Sequence, residues 1–289
     1  MPNLPHLKPP IPKTTAPRVT GALVRSNKTF TIADWGGENE GEKIMLYGRS
    51  GIGKTTLAAL APDPVWIGLD DGGRKIRHPV TGQPLRAVPD IETFEDIRAA
   101  LQSDVFDGCK TIVLDTVTEL QNLGMYATFR RVPAGQGSVA QTIEDYGYNK
   151  GYRHWLDTMR LILGDCDRHI RAGRNILMLA QMRAGRRANP GGEDYLVDGP
   201  SLYHAKDVSV LDAYMEWCDH VLRLELANLR VDKQKKASST NERAVFVHPE
   251  VHFLAKSRTI SKDYPVVEFK EPSDDSIWRL IFGRSEVSE

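Results

Sequence analysis

Four short apolar runs punctuate the first two thirds of the chain: Lys43–Tyr47, Val65–Leu69, Thr111–Leu114 and Asn175–Ala180. Each has strand length and is rich in Ile, Val, Leu and Met. Helical spacing takes over between them, near Thr93–Gln102, Thr116–Arg130 and Tyr148–Ala172. In the last, Tyr148, Tyr152, Trp155, Leu156, Met159, Leu163 and Cys166 recur with helical period, which predicts a face packed on a sheet. Gly173 follows as a C-terminal cap. Strands alternating with helices indicate βαβ units, so the pattern predicts an α/β fold with a mainly parallel sheet flanked by helices. After residue 205 the texture changes. His220–Leu226, Ala244–Val247 and Val251–Ala255 read as antiparallel strands at the C-terminal end. The polar run Val231–Arg243 reads as a mobile loop between two of them. At the other end, six prolines crowd residues 1–20, which cannot hold helix or sheet. Val19–Ala33 is expected to form a strand or hairpin arm. Asp34–Glu42, with Gly36-Gly37, reads as a turn into the core. The domain division is then a tail and lead-in over 1–41 and one domain over 42–289.

The first strand runs into Gly48-Arg49-Ser50-Gly51-Ile52-Gly53-Lys54-Thr55, a complete Gly-x-x-x-x-Gly-Lys-Thr phosphate loop. A helix-prone stretch, Lys54–Ala61, leaves it and stops at Pro62. Glycines let backbone N–H groups curl round a phosphate without Cβ clashes. The helix start adds partial positive charge. Residues 48–55 with Thr56 are therefore expected to bind a nucleotide. Lys54 reaches the β- and γ-phosphates, and the Thr55 hydroxyl ligates Mg²⁺. As an exposed loop residue, Lys54 is expected to carry little of the core.

The strand at Thr111 ends in Asp115, expected to lie beside the strand of the loop and to hold Mg²⁺. The next residue is Thr116, not a glutamate. Thr116-Val117-Thr118-Glu119 reads as a capping box, which gives Glu119 a structural occupation. A water-activating base should then come from Asp70 or Asp71, at the end of the Val65 strand, with Asp71 preferred. The same Asp-Asp-Gly-Gly also reads as a plain turn. At the end of the Asn175 strand, Gln181 is placed to hydrogen-bond a γ-phosphate and report its loss. The segment after it, Arg183 to Tyr203, reads as a flexible basic loop in which Arg183, Arg186 and Arg187 could meet a polyanion. A solvated surface loop is the alternative.

Composition narrows this further. The 289 residues carry 38 Lys+Arg and 38 Asp+Glu, so no global basic field announces nucleic acid and any such contact must be a local patch. Cys109, Cys166 and Cys218 lack metal or CxxC spacing and read as thiols in a reducing cytoplasm. No apolar run reaches the length of a membrane span, and no signal-peptide core opens the chain.

Together these features resemble the RecA-like core ATPases, and more closely the phage-type P-loop ATPases associated with single-strand annealing and recombination. The resemblance spans about residues 42–283. It is carried by Ile44–Leu60, Val65–Gly73, Thr111–Asp115, the helix start from Asp145-Tyr146-Gly147 to Trp155, and Asn175–Arg183. It implies an ATPase using ATP and Mg²⁺, a γ-phosphate-sensing Gln181, and contact of the following loop with single-stranded DNA. It also implies a homo-oligomer in which Lys256 and Arg258, on a late strand starting at Phe253, reach the ATP of a neighbouring subunit. Phe30-Thr31-Ile32-Ala33 resembles a subunit tether, although a plain strand explains it as well. The acidic pair Asp70-Asp71 departs from the resemblance, since a glutamate is usual there. Two other functions stay open: a nucleotide-regulated annealing module with little turnover, and a small-molecule phosphotransferase.

Overall fold

The computed structural model describes residues 32, 39–189, 191–227, 230–231, 237–238 and 242–283, without the side chains of Asp71, Gln136, Arg230, Val231, Ala237 and Ser238. The expected elements in the proline-rich tail, the Val19–Ala33 strand, the Gly36-Gly37 turn and the Phe30–Ala33 tether lie outside the described residues, Ile32 apart. The chain divides into two units, Met1–Gly37 and Glu38–Glu289.

The second unit is a nine-stranded sheet between two layers of helix. The strands are β1 (Lys43–Gly48), β2 (Pro64–Gly68), β3 (Thr111–Asp115), β4 (Asn175–Arg187), β5 (Tyr195–Pro200), β6 (His220–Leu226), β9 (Arg243–Phe246), β10 (Lys256–Ser257) and β11 (Val266–Phe269). A separate two-stranded ribbon, β7 (Arg230–Val231) with β8 (Ala237–Ser238), lies within the polar run expected to be a loop. The helices are α1 (Lys54–Ala58), α2 (Phe94–Gln102), α3 (Val117–Arg131), α4 (Lys150–Arg171), α5 (Val210–Trp217) and α6 (Ser276–Phe282). No helix among the described residues is long and apolar enough to cross a membrane.

The sheet order is β11-β9-β6-β1-β4-β3-β2, with β10 added to β6 and β5 to β4. Pairs from β6 through β2 are parallel, and β9, β10, β11 and β5 join antiparallel. This is the α/β fold expected from the sequence, a mainly parallel sheet flanked by helices with antiparallel strands at its C-terminal end. Its central strands are buried on both faces, which is why they read as unbroken apolar runs. Met45, Tyr47, Ile112, Leu114, Ile176 and Met178 face a core shared with α2, α3, α4 and α5. Ile44, Leu46, Val113, Leu177, Leu179 and Leu222 face the other core, with α1 and α6. Local chemistry agrees with this packing. Thr93 and Asp96 close a reciprocal capping box on α2, and Trp278 of α6 donates its ring N–H to Leu57 O of α1 at 2.7 Å.

Three sequence expectations fail here and one holds only in part. First, β3 is not beside β1, because β4 is hydrogen-bonded between them. Second, β4 does not stop at Ala180. It continues to Arg187 and pairs with β5, so the segment expected as a flexible loop is a β-hairpin. Its outer half needs no apolar run, because the ladder to β5 satisfies its backbone while the side chains stay in water. Third, β6 is antiparallel to β9 and β10 as expected but parallel to β1, since α5 carries the chain back across the sheet before it. Fourth, Val251–Ala255 is not a strand. Phe253 is buried by its side chain, and only isolated bridges hold its backbone. In α4, Trp155, Met159, Leu163 and Cys166 are buried as expected, whereas Tyr148 precedes the helix and is fully exposed.

Candidate nucleotide-binding site

The phosphate loop springs from the C-terminal end of β1, where Gly48 is in register with Gln181 of β4 and Leu224 of β6. Gly51 and Gly53 take left-handed φ values of 76° and 106°, which a residue with a Cβ adopts only under strain. The loop folds over a cleft of about 340 Å³ lined by Ser50, Gly51, Gly53, Lys54, Thr55, Thr56, Asp70, Asp115 and Gln181. Of the loop residues, Ile52 turns into the α1 side of the core instead. Arg49 leaves the cleft as well, its Nε lying 3.2 Å from the buried Glu225 carboxylate.

Lys54 is 6% exposed, against the expectation of an exposed residue. Its ammonium donates to Gly48 O and Arg49 O at 2.9 Å each and to Gln181 Oε1 at 3.0 Å. Burial lowers its pKa, opposed by Asp115 and Asp70. Thr55 Oγ1 donates to Asp115 Oδ2 at 2.8 Å. Burial pushes the Asp115 carboxyl up to about 6; the Thr55 hydrogen bond opposes this and the charge of Asp70 adds to it. A hydroxyl and a carboxylate meeting at a phosphate loop suit Mg²⁺, a hard cation that takes few protein oxygens and shares phosphate oxygens. Among the described residues no cluster of three or more His, Cys, Asp or Glu could hold a metal by itself.

Asp70 lines the cleft and accepts from Gly72 N at 3.0 Å, so the turn and the cleft-lining position coexist. The Asp71 side chain lies outside the described residues. Beyond Asp70, Gly73 and Asp115 a second cavity of about 480 Å³ opens, walled by Trp66, Leu85, Val88 and Ile91. Thr116 accepts from Glu119 N at 3.3 Å and so caps α3. Among the described contacts the Glu119 carboxylate accepts from Asn122 at 3.0 Å rather than returning to Thr116, so only half of the expected capping box forms.

Arg183, Arg186 and Arg187 are exposed on the hairpin and border a groove of about 470 Å³ against α5, which Lys256 also lines. Lys256 and Arg258 both reach the end of α5. Lys256 donates to Met215 O, Glu216 O and Cys218 O at 3.0, 3.2 and 2.5 Å, closing the C-terminal end of that helix. Arg258 is 57% exposed and lies 3.1 Å from Asp219.

Sequence reasoning missed a buried charge network. Glu225 meets Arg49 on one side and Arg223 at 3.5 Å on the other, and Arg223 donates to Asp198 of β5 at 2.8 Å. The Arg223 guanidinium also sits over the Phe246 and Phe253 rings, at 5.4 and 4.9 Å. Both hairpin strands are thereby tied to the loop: β4 through Gln181 and Lys54, β5 through Asp198, Arg223, Glu225 and Arg49. The available signal was Arg223 and Glu225 interrupting the apolar strand His220-Val-Leu-Arg-Leu-Glu-Leu. Arg243, at the start of β9, lies against Gly53; nothing in its polar local sequence marks it.

The profile of the family described as AAA domain matches residues 40–259. None of the curated proteins matches the chain in sequence. Among solved structures, the RadB recombinase crystal structure aligns at 12% identity over 81% of this chain and 89% of that one, with TM-score 0.42. A KaiC-like protein from the hyperthermophilic archaeon Pyrococcus horikoshii OT3 aligns at 13% identity over 80% and 90%, with TM-score 0.39.

Proposed function

From the premise that the chain belongs to the AAA domain family, we propose that it is a Mg²⁺-dependent ATPase coupling nucleotide state to single-stranded DNA in recombination or annealing, as a homo-oligomer. In this reading the loop amides and Lys54 hold the β- and γ-phosphates. Thr55 and Asp115 hold Mg²⁺, which when bound neutralises charge on the transferring phosphoryl group. Asp70 or Asp71 orients the attacking water. Arg183, Arg186 and Arg187 meet the phosphates of the DNA strand.

The observation that carries the reading is the bond from Lys54 to Gln181. A γ-phosphate competes for the ammonium and releases Gln181 at the root of the basic hairpin, so the loss of that phosphate is felt where DNA would lie. The test is ATP turnover with and without single-stranded DNA, for wild type and Gln181→Ala. Wild-type turnover should rise with DNA. The variant should bind each ligand while ATP no longer tightens DNA binding. Wild-type turnover indifferent to DNA would sink the coupling.

The second cavity favours one other reading. It shares Asp70, Gly73 and Asp115 with the phosphate cleft, so a small molecule there would face the γ-phosphate as an acceptor. Phosphorylation of an added metabolite, with DNA without effect, would select this phosphotransferase. ATP-dependent DNA binding with turnover slower than about once per minute would select an annealing module instead.

A further inference from the structure

Arg243 opens β9, in register with Leu226 of β6, and two residues before that Leu224 is in register with Gly48 at the root of the phosphate loop. Its strand neighbour on the same face, Val245, is buried in the core that holds Leu57 of α1. The Arg243 side chain therefore leaves the sheet on the α1 side, at the level of the loop. A Cβ placed on Gly53 would meet its Nη1 at 2.8 Å, Cζ at 3.2 Å and Nε at 3.8 Å, so the guanidinium lies along the Gly53 backbone.

The other cations of the loop are committed. Lys54 is held by three oxygens, and Arg49 is paired with Glu225. The Arg243 side chain has no hydrogen bond, ion pair or ring contact with any described residue, although the residue is half-buried and its backbone is paired in the sheet. Its neighbour Glu242 is bridged by Lys270 at 2.9 Å. Five donors in a fixed fork are left beside the loop without a protein acceptor, and so are available to an anion. The sheet order states which part of the anion. Asp115, Thr55 and Gln181 gather on the β3–β4 side of β1, where the γ-phosphate and Mg²⁺ belong. Arg243 comes from β9, beyond β6 on the opposite flank.

We propose that Arg243 is a nucleotide-binding residue whose guanidinium holds the α-phosphate, the end of the phosphate chain nearest the nucleoside. The inference rests on the nucleotide reading above and adds a contact supplied from outside the phosphate-loop motif. Bidentate guanidinium–phosphate pairing makes the contact charge-assisted and orients the chain in the loop.

The test is titration of ATP, ADP and inorganic tripolyphosphate, with Mg²⁺, into wild type, Arg243→Gln and Arg243→Lys by calorimetry. The Gln variant should bind all three about 10- to 100-fold more weakly, by a similar factor, and Lys should restore part of the loss. A loss confined to ATP would place the contact at the γ-phosphate. A loss for both nucleotides but not tripolyphosphate would place it on the base; either overturns the assignment, as does unchanged affinity for all three. Ligand-free melting temperatures within a degree or so of wild type show that the variants fold. Wild type that binds no ATP would sink the nucleotide reading itself, and binding retained by wild type and variant alike sinks only the role of Arg243.

Discussion

Lys54 has two occupations that one substitution removes together. It is the cation for phosphate, and it is also the buried group that satisfies Gly48 O, Arg49 O and Gln181. Lys54→Ala should abolish ATP hydrolysis and also lower the ligand-free melting temperature, because the buried Gly48 O loses its donor at about 1–3 kcal/mol and the part-buried Arg49 O and Gln181 Oε1 lose theirs at less. Wild-type turnover in this variant would contradict the site; an unchanged melting temperature would contradict its structural part. Asp115 makes the opposite kind of statement. Its folded pKa of about 6 exceeds the ordinary aspartate value, so the folded state holds the proton more tightly than the unfolded chain does. Stability from this group is then full below the unfolded value and falls as pH rises through the folded one, by up to about 3 kcal/mol above pH 7. Asp115→Asn should therefore stabilise the ligand-free protein relative to wild type at pH 8 but not at pH 4.5, read by urea unfolding at both. Mg²⁺ dependence of hydrolysis should weaken in the same variant. A pH-independent difference in stability would mean that burial does not hold the proton.

At the scale of elements, the β4–β5 hairpin joins the two halves of the proposed function. A flexible loop carrying three arginines could respond to nucleotide only by ordering. A hairpin tied through both strands to the phosphate loop can tilt as a body. Changing Arg183, Arg186 and Arg187 together to Ala should weaken single-stranded DNA binding and flatten its dependence on salt, because fewer phosphates are neutralised. The fold should survive, since all three side chains are exposed. An unchanged salt slope would return the hairpin to the role of a solvated arm.

For the whole molecule the open matter is a second copy. The proposal that Lys256 and Arg258 reach a neighbour's ATP must accommodate Lys256 closing the end of α5. Arg258, more than half exposed, is the cleaner probe. If it acts across an interface, Arg258→Ala should bind ATP and hydrolyse it poorly, and wild-type specific activity should rise with protein concentration. Mixing Arg258→Ala with Lys54→Ala should restore part of the activity, because some interfaces then pair two intact halves. Activity independent of concentration, with no rescue on mixing, would leave Arg258 as a surface partner of Asp219.

What the sequence determined by itself is whatever is written in consecutive residues. The phosphate loop, the strands on either side of it, the apolar stripe of α4 and the α/β class are local patterns, because backbone geometry and side-chain period are local. The positions of Asp115 at a strand end and Thr55 in the first turn of a helix were legible for the same reason, whereas Gln181, read as a strand end, lies in mid-strand. Tertiary structure alone decided which strand lies beside which. Hydrogen-bonding partners in a sheet leave no mark on either sequence, so the insertion of β4 between β1 and β3, and the parallel direction of β6, could not be read. A ladder also tolerates polar residues once a partner satisfies the backbone, which is why Arg183–Arg187 read as loop and folded as strand. Glu225 and Arg243 stand more than 160 residues from the loop they touch, Arg223 is joined to it through Glu225, and only the closing of the sheet gives them a place at the site.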